Sequence, residues 1–200
     1  MDKSHLILHG LAIKKHAGAG DIAGLIGLTE ADARSGLDHA VASGRAHEAD
    51  GRFILTPLAR VILEAEYSDH YADARDDTAF MDAYEAFEVI NVQLKSIITD
   101  WQTMEVGGQR VANDHSNHDH DNKVIDRLGD CHERAGAIFA RLEKGVPRLG
   151  YYRRKLLEAL EKAEDGAIEW VSDARIESYH TLWFELHEDL LRIVGRTRQE

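Results

Sequence analysis

The fold is decided by residues 172–194, SDARIESYHTLWFELHEDLLRIV. At helical spacing, one face of this stretch carries Ile176, His180, Trp183, His187, Leu190 and Val194. Two histidines therefore occupy positions that an amphipathic helix normally gives to apolar core residues. We predict a core helix over 172–194, whose histidines either satisfy their hydrogen bonds inside the core or line a binding site.

Three more helices are predicted in the same half of the chain, over residues 77–102, 123–144 and 147–166. The first contains neither proline nor glycine, and Asn91 is the polar exception on its apolar face. Because the four helices are joined by short or moderate connections, they predict an antiparallel four-helix bundle over residues 79–200.

Polar and aromatic residues on the predicted inner faces of this bundle form a candidate ligand pocket. They are Asn91, Trp101, His132, His180, Trp183 and His187. Because seven residues of helix rise about 10.5 Å, His180 and His187 are too far apart to bind one metal ion together. Two interpretations stay open: each histidine bonds a separate polar group across the bundle, or the pocket holds a small organic anion.

Residues 106–122 are predicted to form a polar loop between two bundle helices. The loop holds His115, His118 and His120 together with three aspartates, and these ligand types suit Zn, Ni, Cu or Mn. Their spacing matches no standard motif, and a flexible loop loses entropy when it gathers ligands. A solvated connector is the simpler interpretation. We therefore predict neither a metal site nor a cofactor, with these three histidines as the candidate ligands if a metal binds here.

The first 66 residues predict a separate unit of three helices, a hairpin and a returning helix. Thr29 can cap the third helix, over 30–43. The dipeptide Asp50-Gly51 favours a hairpin turn, and Thr56-Pro57 begins the returning helix. The whole chain is therefore predicted to be mainly α with a small β wing: a winged helix-turn-helix over 1–66, followed by the helical bundle.

A resemblance to a known family is carried by residues 28–60, LTEADARSGLDHAVASGRAHEADGRFILTPLAR. They resemble the DNA-binding part of MarR-like transcriptional regulators, with a threonine-capped recognition helix, a wing and an LTP-type helix start. The resemblance implies a DNA-binding transcriptional regulator, and two-fold operators imply a homodimer. The implied DNA contacts are Arg34, Ser35 and His39 at base edges, and Arg45 and Arg52 at phosphates or the minor groove.

Net charge limits where a nucleic acid can bind. Residues 1–66 hold 7 Lys and Arg against 9 Asp and Glu, a net of −2. The totals of 24 and 36 leave 17 against 27, a net of −10, for residues 67–200. The second part would repel phosphates, so DNA contacts must come from the first. Because Asp32 and Asp38 compete with phosphate on the third helix, a packing or protein-contact module stays an alternative.

A second resemblance extends over nearly the whole chain. The winged helix, the helix ending in LKSIITDWQ, the NDH loop and SYHTLWFELHEDLL together resemble an extension of some phosphoenolpyruvate-utilising, pyruvate phosphate dikinase-like proteins. It implies a regulatory or docking module for such an enzyme, without DNA binding. We predict no enzymatic activity, because the chain has no phosphohistidine motif of that family, no phosphate loop and no dinucleotide fingerprint.

Composition places limits on location. No run approaches the roughly 20 apolar residues of a membrane span, and the N-terminus lacks the ordered regions of a signal peptide. The single cysteine, Cys131, cannot form an internal disulfide and fits a reducing compartment. We expect a cytoplasmic protein without membrane contact, in which residues 67–78 form an acidic connector between the two units.

Overall fold

The structure is a computed structural model that describes residues 2–197, so position 1 and positions 198–200 of the predicted units lie outside it. The fold is mainly helical with a small β wing, as predicted, and it contains two small antiparallel sheets of two strands each. The helices are α1 (Lys3–Lys14), α2 (Ala19–Ile26), α3 (Glu30–Ala42), α4 (Pro57–His70), α5 (Ala72–Asp76), α6 (Thr78–Gln102), α7 (His118–Gly145), α8 (Gly150–Glu164), α9 (Glu169–Ser172) and α10 (Tyr179–Val194). The strands are β1 (Ala46–Ala49), β2 (Arg52–Leu55), β3 (Thr103–Val106) and β4 (Gln109–Ala112), and a 3-10 turn, Pro147–Leu149, precedes α8.

Helices α1, α2 and α3 pack on one another and carry the β1–β2 hairpin. The start of α3 is fixed by Thr29, whose hydroxyl accepts a hydrogen bond from the Asp32 amide at 3.1 Å. Between α1 and α2, Ala17 exchanges two backbone hydrogen bonds with Phe53 of β2, at 2.8 and 3.2 Å. These bonds hold the hairpin against the helices instead of leaving it free in solvent.

The segment predicted as an acidic connector, 67–78, is helical over most of its length. It comprises the end of α4, all of α5 and the start of α6. Tyr67, Tyr71 and Ala74 are buried because their spacing places them on one side of the chain, against the rest of the protein. The acidic residues occupy the opposite side. The division into units at 1–66 and 79–200 stays a prediction.

Helices α6, α7, α8 and α10 form the helical bundle. Helix α6 packs against α7, α7 against α8, and α10 against both α8 and α6. Their buried faces contain the aromatic core residues Phe80, Tyr84, Phe87, Tyr152 and Trp183. The bundle is therefore closed by the helix that comes last among the four in the sequence.

The prediction of a loop over residues 106–122 is wrong in two places. Strands β3 and β4 form a hairpin, because Gly107 and Gly108 adopt the positive φ angles, 60° and 79°, that a tight two-residue turn requires. Helix α7 begins at His118 instead of 123, because the Asn117 side chain caps it by accepting a hydrogen bond from the His120 amide at 3.1 Å.

The helix predicted over 172–194 is also interrupted. Asp173 accepts a hydrogen bond from the Arg175 amide at 2.8 Å, a local bond that competes with helix formation. Ser178 then caps α10 by accepting from the Thr181 amide. Ile176 therefore lies outside α10, while the rest of the predicted stripe, from His180 onward, lies on it.

Helix α10 is the centre of the whole fold. Besides α6 and α8, it contacts α1, α4, α5 and α9. The buried apolar residues form one continuous cluster that runs from Ile7 on α1 to Val194 on α10. Both parts of the chain therefore share one hydrophobic core.

Candidate functional site

One candidate site lies on the outer face of α3 and the β1–β2 hairpin. We call it the α3–hairpin surface and define it by the five predicted DNA contacts, Arg34, Ser35, His39, Arg45 and Arg52. All five are exposed. Helix α3 buries Ala33, Leu37 and Ala40 on its opposite face, so the exposed side chains follow from the amphipathic pattern.

Two arginines of this surface already have partners within the protein. Arg34 donates to Asp38 at 2.9 Å, lies 3.9 Å from Glu48, and has its guanidinium 5.1 Å from the centre of the Phe53 ring. Arg52 donates to the His16 carbonyl at 2.7 Å. Both side chains remain about half exposed, so solvent and ligands can reach them.

The predicted ligand pocket is present only in part. Asn91, His180, Trp183 and His187 line a cavity of about 60 Å³ between α6 and α10. This volume holds a few water molecules and is far below the roughly 300 Å³ of the smallest usual ligand pockets. A groove of about 300 Å³ adjoins it, shares Asn91, Lys95 and His187, and also contains Arg196. An organic anion would need that groove, and its binding stays a prediction.

Polar groups at this cavity form a hydrogen-bond chain between α6 and α10. The Trp183 indole donates to the Asn91 carbonyl oxygen at 3.1 Å, and the Asn91 amide donates to Glu88 at 3.1 Å. Glu88 in turn lies 2.8 Å from His187 Nε2. Burial alone would raise the pKa of Glu88, but hydrogen bonds from Tyr84 and the attraction of His187 lower it. The buried amide and His187 thus have the polar partners that the sequence required.

Three predicted site residues have their main contacts away from this chain of hydrogen bonds. His180 lines the cavity, but its Nδ1 lies 3.3 Å from the Ser172 hydroxyl, away from the chain of bonds around Asn91. His132 Nδ1 lies 3.1 Å from the Tyr179 hydroxyl. Trp101 packs on His115, with ring centres 4.5 Å apart. The cavity is lined by α6 residues between Asn91 and Ile98 and by α10 residues between His180 and His187, so neither His132 on α7 nor Trp101 at the end of α6 borders it.

The three histidines suggested as metal candidates do not come together as one site. His115 Nδ1 lies 3.1 Å from Asp121, and His120 Nε2 lies 2.9 Å from the Asp100 carbonyl. His118 is exposed at the start of α7. Within residues 2–197, these side chains do not form a group of three ligands close enough for one ion.

A buried charge network that the sequence did not predict joins α1, α4, the 3-10 turn before α8, and α10. Asp189 has no exposed surface and accepts hydrogen bonds from both terminal nitrogens of Arg148, one of them at 2.7 Å. His9 Nε2 lies 3.2 Å from Asp189, and His9 Nδ1 lies 2.9 Å from the Tyr67 hydroxyl. The signal was available, because Asp189 interrupts an apolar face of α10 just as His187 does.

The pKa shifts in this network follow from burial and from the arginine. Burial alone would raise the pKa of Asp189, but the attraction of Arg148 brings it well below its usual range. Burial, aided by repulsion from Arg148, lowers the pKa of His9 to about 4, although Asp189 acts in the opposite direction. At neutral pH the network therefore holds one ion pair and a neutral histidine. Its enclosure assigns it a structural role.

A second buried ion group fastens α1 to the bundle. Lys14 Nζ lies 2.8 Å from both Glu177 and Glu185, and the lysine side chain is almost fully buried. Burial would lower the pKa of Lys14, but the two carboxylates raise it above its ordinary value. The lysine is therefore charged and held in place, so it is not available as a base or nucleophile.

Comparisons with known proteins give no further identification. No family model, curated protein or solved structure matches this chain. Among residues 2–197, no helix is long and apolar enough to cross a membrane. The resemblance of residues 28–60 to MarR-like regulators therefore stays a prediction that rests on those residues.

Proposed function

We propose that the protein is a DNA-binding transcriptional regulator that contacts DNA through the α3–hairpin surface. The observation that carries the proposal is the exposure of α3, a capped helix that buries one face and presents Arg34, Ser35 and His39 on the other. A helix exposed in this way can enter a major groove.

The order of elements supports a winged helix-turn-helix. Three helices precede a two-stranded hairpin, and the hairpin is held to the α1–α2 turn by the Ala17–Phe53 hydrogen bonds. Because the hairpin is fixed, Arg45 and Arg52 have defined positions beside α3. Such a wing would place these two side chains on the DNA backbone while α3 reads bases.

The acidic neighbours of Arg34 are a small obstacle to this function. Its ion pairs with Asp38 and Glu48 are on the surface, where such pairs contribute about 0–1 kcal/mol. Exchange of these partners for a phosphate or a guanine edge therefore costs little. The carboxylates that remain would reduce affinity, whereas the salt sensitivity of binding would come from arginine contacts to phosphates.

The test is binding of the intact protein to DNA flanking its own gene, measured by fluorescence anisotropy across a salt series. We expect Arg34→Ala together with Arg52→Ala to weaken binding and to reduce the slope of log affinity against log salt by about 1, the contribution of one phosphate contact by Arg52. Arg153→Ala, which removes an exposed charge on the bundle, is the matched control and should leave the slope unchanged. Absence of salt-dependent binding by the intact protein would reject the proposal.

In this proposal the bundle and the outer face of α4 support dimerisation and ligand response. Leu58 and Val61 on α4 are 69% and 68% exposed, and Ile62 lies beside them at helical spacing. An exposed apolar group of this kind is typical of an interface. Light scattering should give twice the 22.4 kDa mass of one chain, and Val61→Asp should restore the monomer.

A second candidate is a regulatory or docking module for a phosphoenolpyruvate-utilising enzyme, without DNA binding. It is favoured by the carboxylates at Glu30, Asp32, Asp38 and Glu48 on or beside α3, which suit a basic protein surface better than phosphates. Sedimentation of the protein with such a purified enzyme would test it. Binding that is lost in Asp32→Lys with Asp38→Lys, together with no binding to DNA, would establish this candidate instead.

A further inference from the structure

Three potential metal ligands meet where α1 packs against α4. His5 is on α1, while Glu66 and His70 are one helical turn apart on α4 and share a face. One ligand atom from each side chain lies within 4.8 Å of the other two. His5 Nδ1 is 3.3 Å from Glu66 Oε2, and the rings of His5 and His70 have centres only 3.7 Å apart.

The histidine on α1 is fixed before any ligand binds. His5 is 3% exposed, and the rings of Tyr67 and Tyr71 pack edge-on against it. Its Nε2 has no hydrogen-bond partner among residues 2–197, so the polar bonding of the ring is directed at Glu66 through Nδ1. Little conformational entropy remains to be lost at this position on binding.

The two ligands on α4 leave the site open to solvent. Glu66 and His70 are both half-buried, in contrast to His5. A cation can therefore enter from the α4 side and retain a water molecule. Three protein ligands with one open position are typical of zinc sites that hold a water, and two imidazoles with one carboxylate is among the known ligand sets.

We propose that His5, Glu66 and His70 bind one divalent transition-metal ion, for which Zn²⁺ is the natural probe. In a tetrahedral site with bonds of about 2.0–2.1 Å, neighbouring ligand atoms are separated by roughly 3.4 Å. The His5–Glu66 pair already has this separation. Adjustments of about an ångström in the half-buried side chains bring the third ligand to it.

The arrangement fits a metal better than a simple hydrogen bond. A bond between His5 and Glu66 alone would not involve His70, whereas the contact between the two imidazole rings keeps His70 within reach of an ion bound by the other two side chains. The alternative histidines at 115 and 120 are already bonded to separate partners. An ion here would connect α1 to α4, and the inference does not depend on DNA binding.

The experiment is calorimetric titration of the DNA-free, full-length protein with Zn²⁺. We expect one site, weakened at least tenfold in both His70→Gln and Glu66→Gln and unchanged in His118→Gln, the matched control in the other histidine-rich segment. Co²⁺ in place of Zn²⁺ should give the visible absorption of a tetrahedral centre, and His70→Gln should abolish it.

Circular dichroism on each variant confirms folding before titration. Because Glu66 and His70, both half-buried, are substituted separately, the test can still be made if one variant does not fold. Absence of Zn²⁺ binding to the wild type would overturn the proposal. Unchanged affinity in the folded His70→Gln or Glu66→Gln variants would do the same. Loss of binding in His118→Gln alone would place the ion in the 115–120 segment and equally reject the site proposed here.

Discussion

Asp189 is a buried charge that depends on its hydrogen-bond partners. Both of its oxygens accept hydrogen bonds from Arg148, and the arginine side chain is only 7% exposed. We predict that Asp189→Asn lowers the free energy of unfolding by about 3–5 kcal/mol, because it leaves a buried guanidinium without its counter-ion. Urea denaturation followed by circular dichroism measures the change.

The double variant Asp189→Leu with Arg148→Met separates the stabilisation by the ion pair from the cost of burying each charge. Since it removes both charges, it should lose less stability than the two single changes added together. The control is Arg153→Ala, whose exposed ion pair with Glu143 should contribute no more than about 1 kcal/mol. Additive losses in the double variant would show that the pair has no coupling.

The titration of His9 predicts loss of stability in acid. Its pKa is about 4 in the folded protein, below the ordinary value of 6.5, because the ring is buried beside Arg148. Between these values the unfolded chain binds the proton more tightly, so stability is complete above pH 6.5 and falls as the pH approaches 4. The expected loss is roughly 3 kcal/mol.

Urea denaturation at several pH values measures this loss in the wild type and in His9→Gln. The variant should lose less stability over the same pH interval. The slope of its unfolding free energy against pH should correspond to up to one fewer proton taken up on unfolding. The comparison with the variant is needed because burial also lowers the pKa of His132 and His180. Identical slopes in the two proteins would contradict the assignment to His9.

At the residue scale, the sequence predicts which positions are unusual better than it predicts their partners. Helical spacing marks His187 and Asn91 as polar residues in a core, and both are buried. From the sequence, Glu88 is only one of several possible polar partners, because the choice depends on how α6 and α10 are rotated against each other. Helical spacing also predicts Trp101 and His132 in the pocket, but spacing does not tell at which level of the bundle, or between which helices, a cavity opens, and neither residue lines it.

At the element scale, the sequence predicts long helices well and short connections poorly. Helix α6 was expected over 77–102 and is found at Thr78–Gln102, because its apolar period is sustained for seven turns. The β3–β4 hairpin was missed, since only four residues form each strand and most of them are exposed. Such a pattern carries little hydrophobic signal, and the Gly107-Gly108 pair by itself predicts a loop as readily as a hairpin turn.

The packing of α3 on α1 makes a prediction for Gly36. A Cβ added there would lie 2.0 Å from the Ile7 Cδ1 atom, and Ile7 is buried and cannot turn into solvent. Gly36→Ala should therefore lower the free energy of unfolding by about 1–2 kcal/mol, as overpacking exceeds the gain in helix propensity. Thermal or urea unfolding measures the change.

Gly136 on α7 is the matched control for this effect. Apart from its chain neighbours and the local backbone of α7, no atom of the described residues lies within 4 Å of the position a Cβ would take, so Gly136→Ala should stabilise the protein by about 0.5–1 kcal/mol through helix propensity alone. Equal effects of the two substitutions on the free energy of unfolding would mean that α3 and α1 pack less closely than the structure shows.

At the scale of the whole molecule, the shared core predicts a single unfolding transition. The buried cluster includes residues of α1, α4 and α10, and two buried ion groups connect α1 to the bundle. Separate melting of a first unit would have to expose these charges and apolar side chains. We therefore expect two-state unfolding in urea.

Two optical signals can test this expectation without altering the protein. All three tryptophans, Trp101, Trp170 and Trp183, lie in the second part of the chain, so their fluorescence reports on the bundle region. Circular dichroism reports on the helices of both parts. Coincident midpoints indicate one cooperative unit, whereas a dichroism change that precedes the fluorescence change would support separate units at 1–66 and 79–200.

The contact between His9 and Asp189 has a consequence for synthesis of the chain. These two residues meet in the core, yet almost all of the described sequence lies between them. During translation α1 can pack on α2 and α3 early, but the side of α1 that carries His9 lacks its partner until α10 has been made. The nascent protein therefore leaves this side of α1 uncovered until α10 emerges, and this is the interval in which a chaperone is most useful.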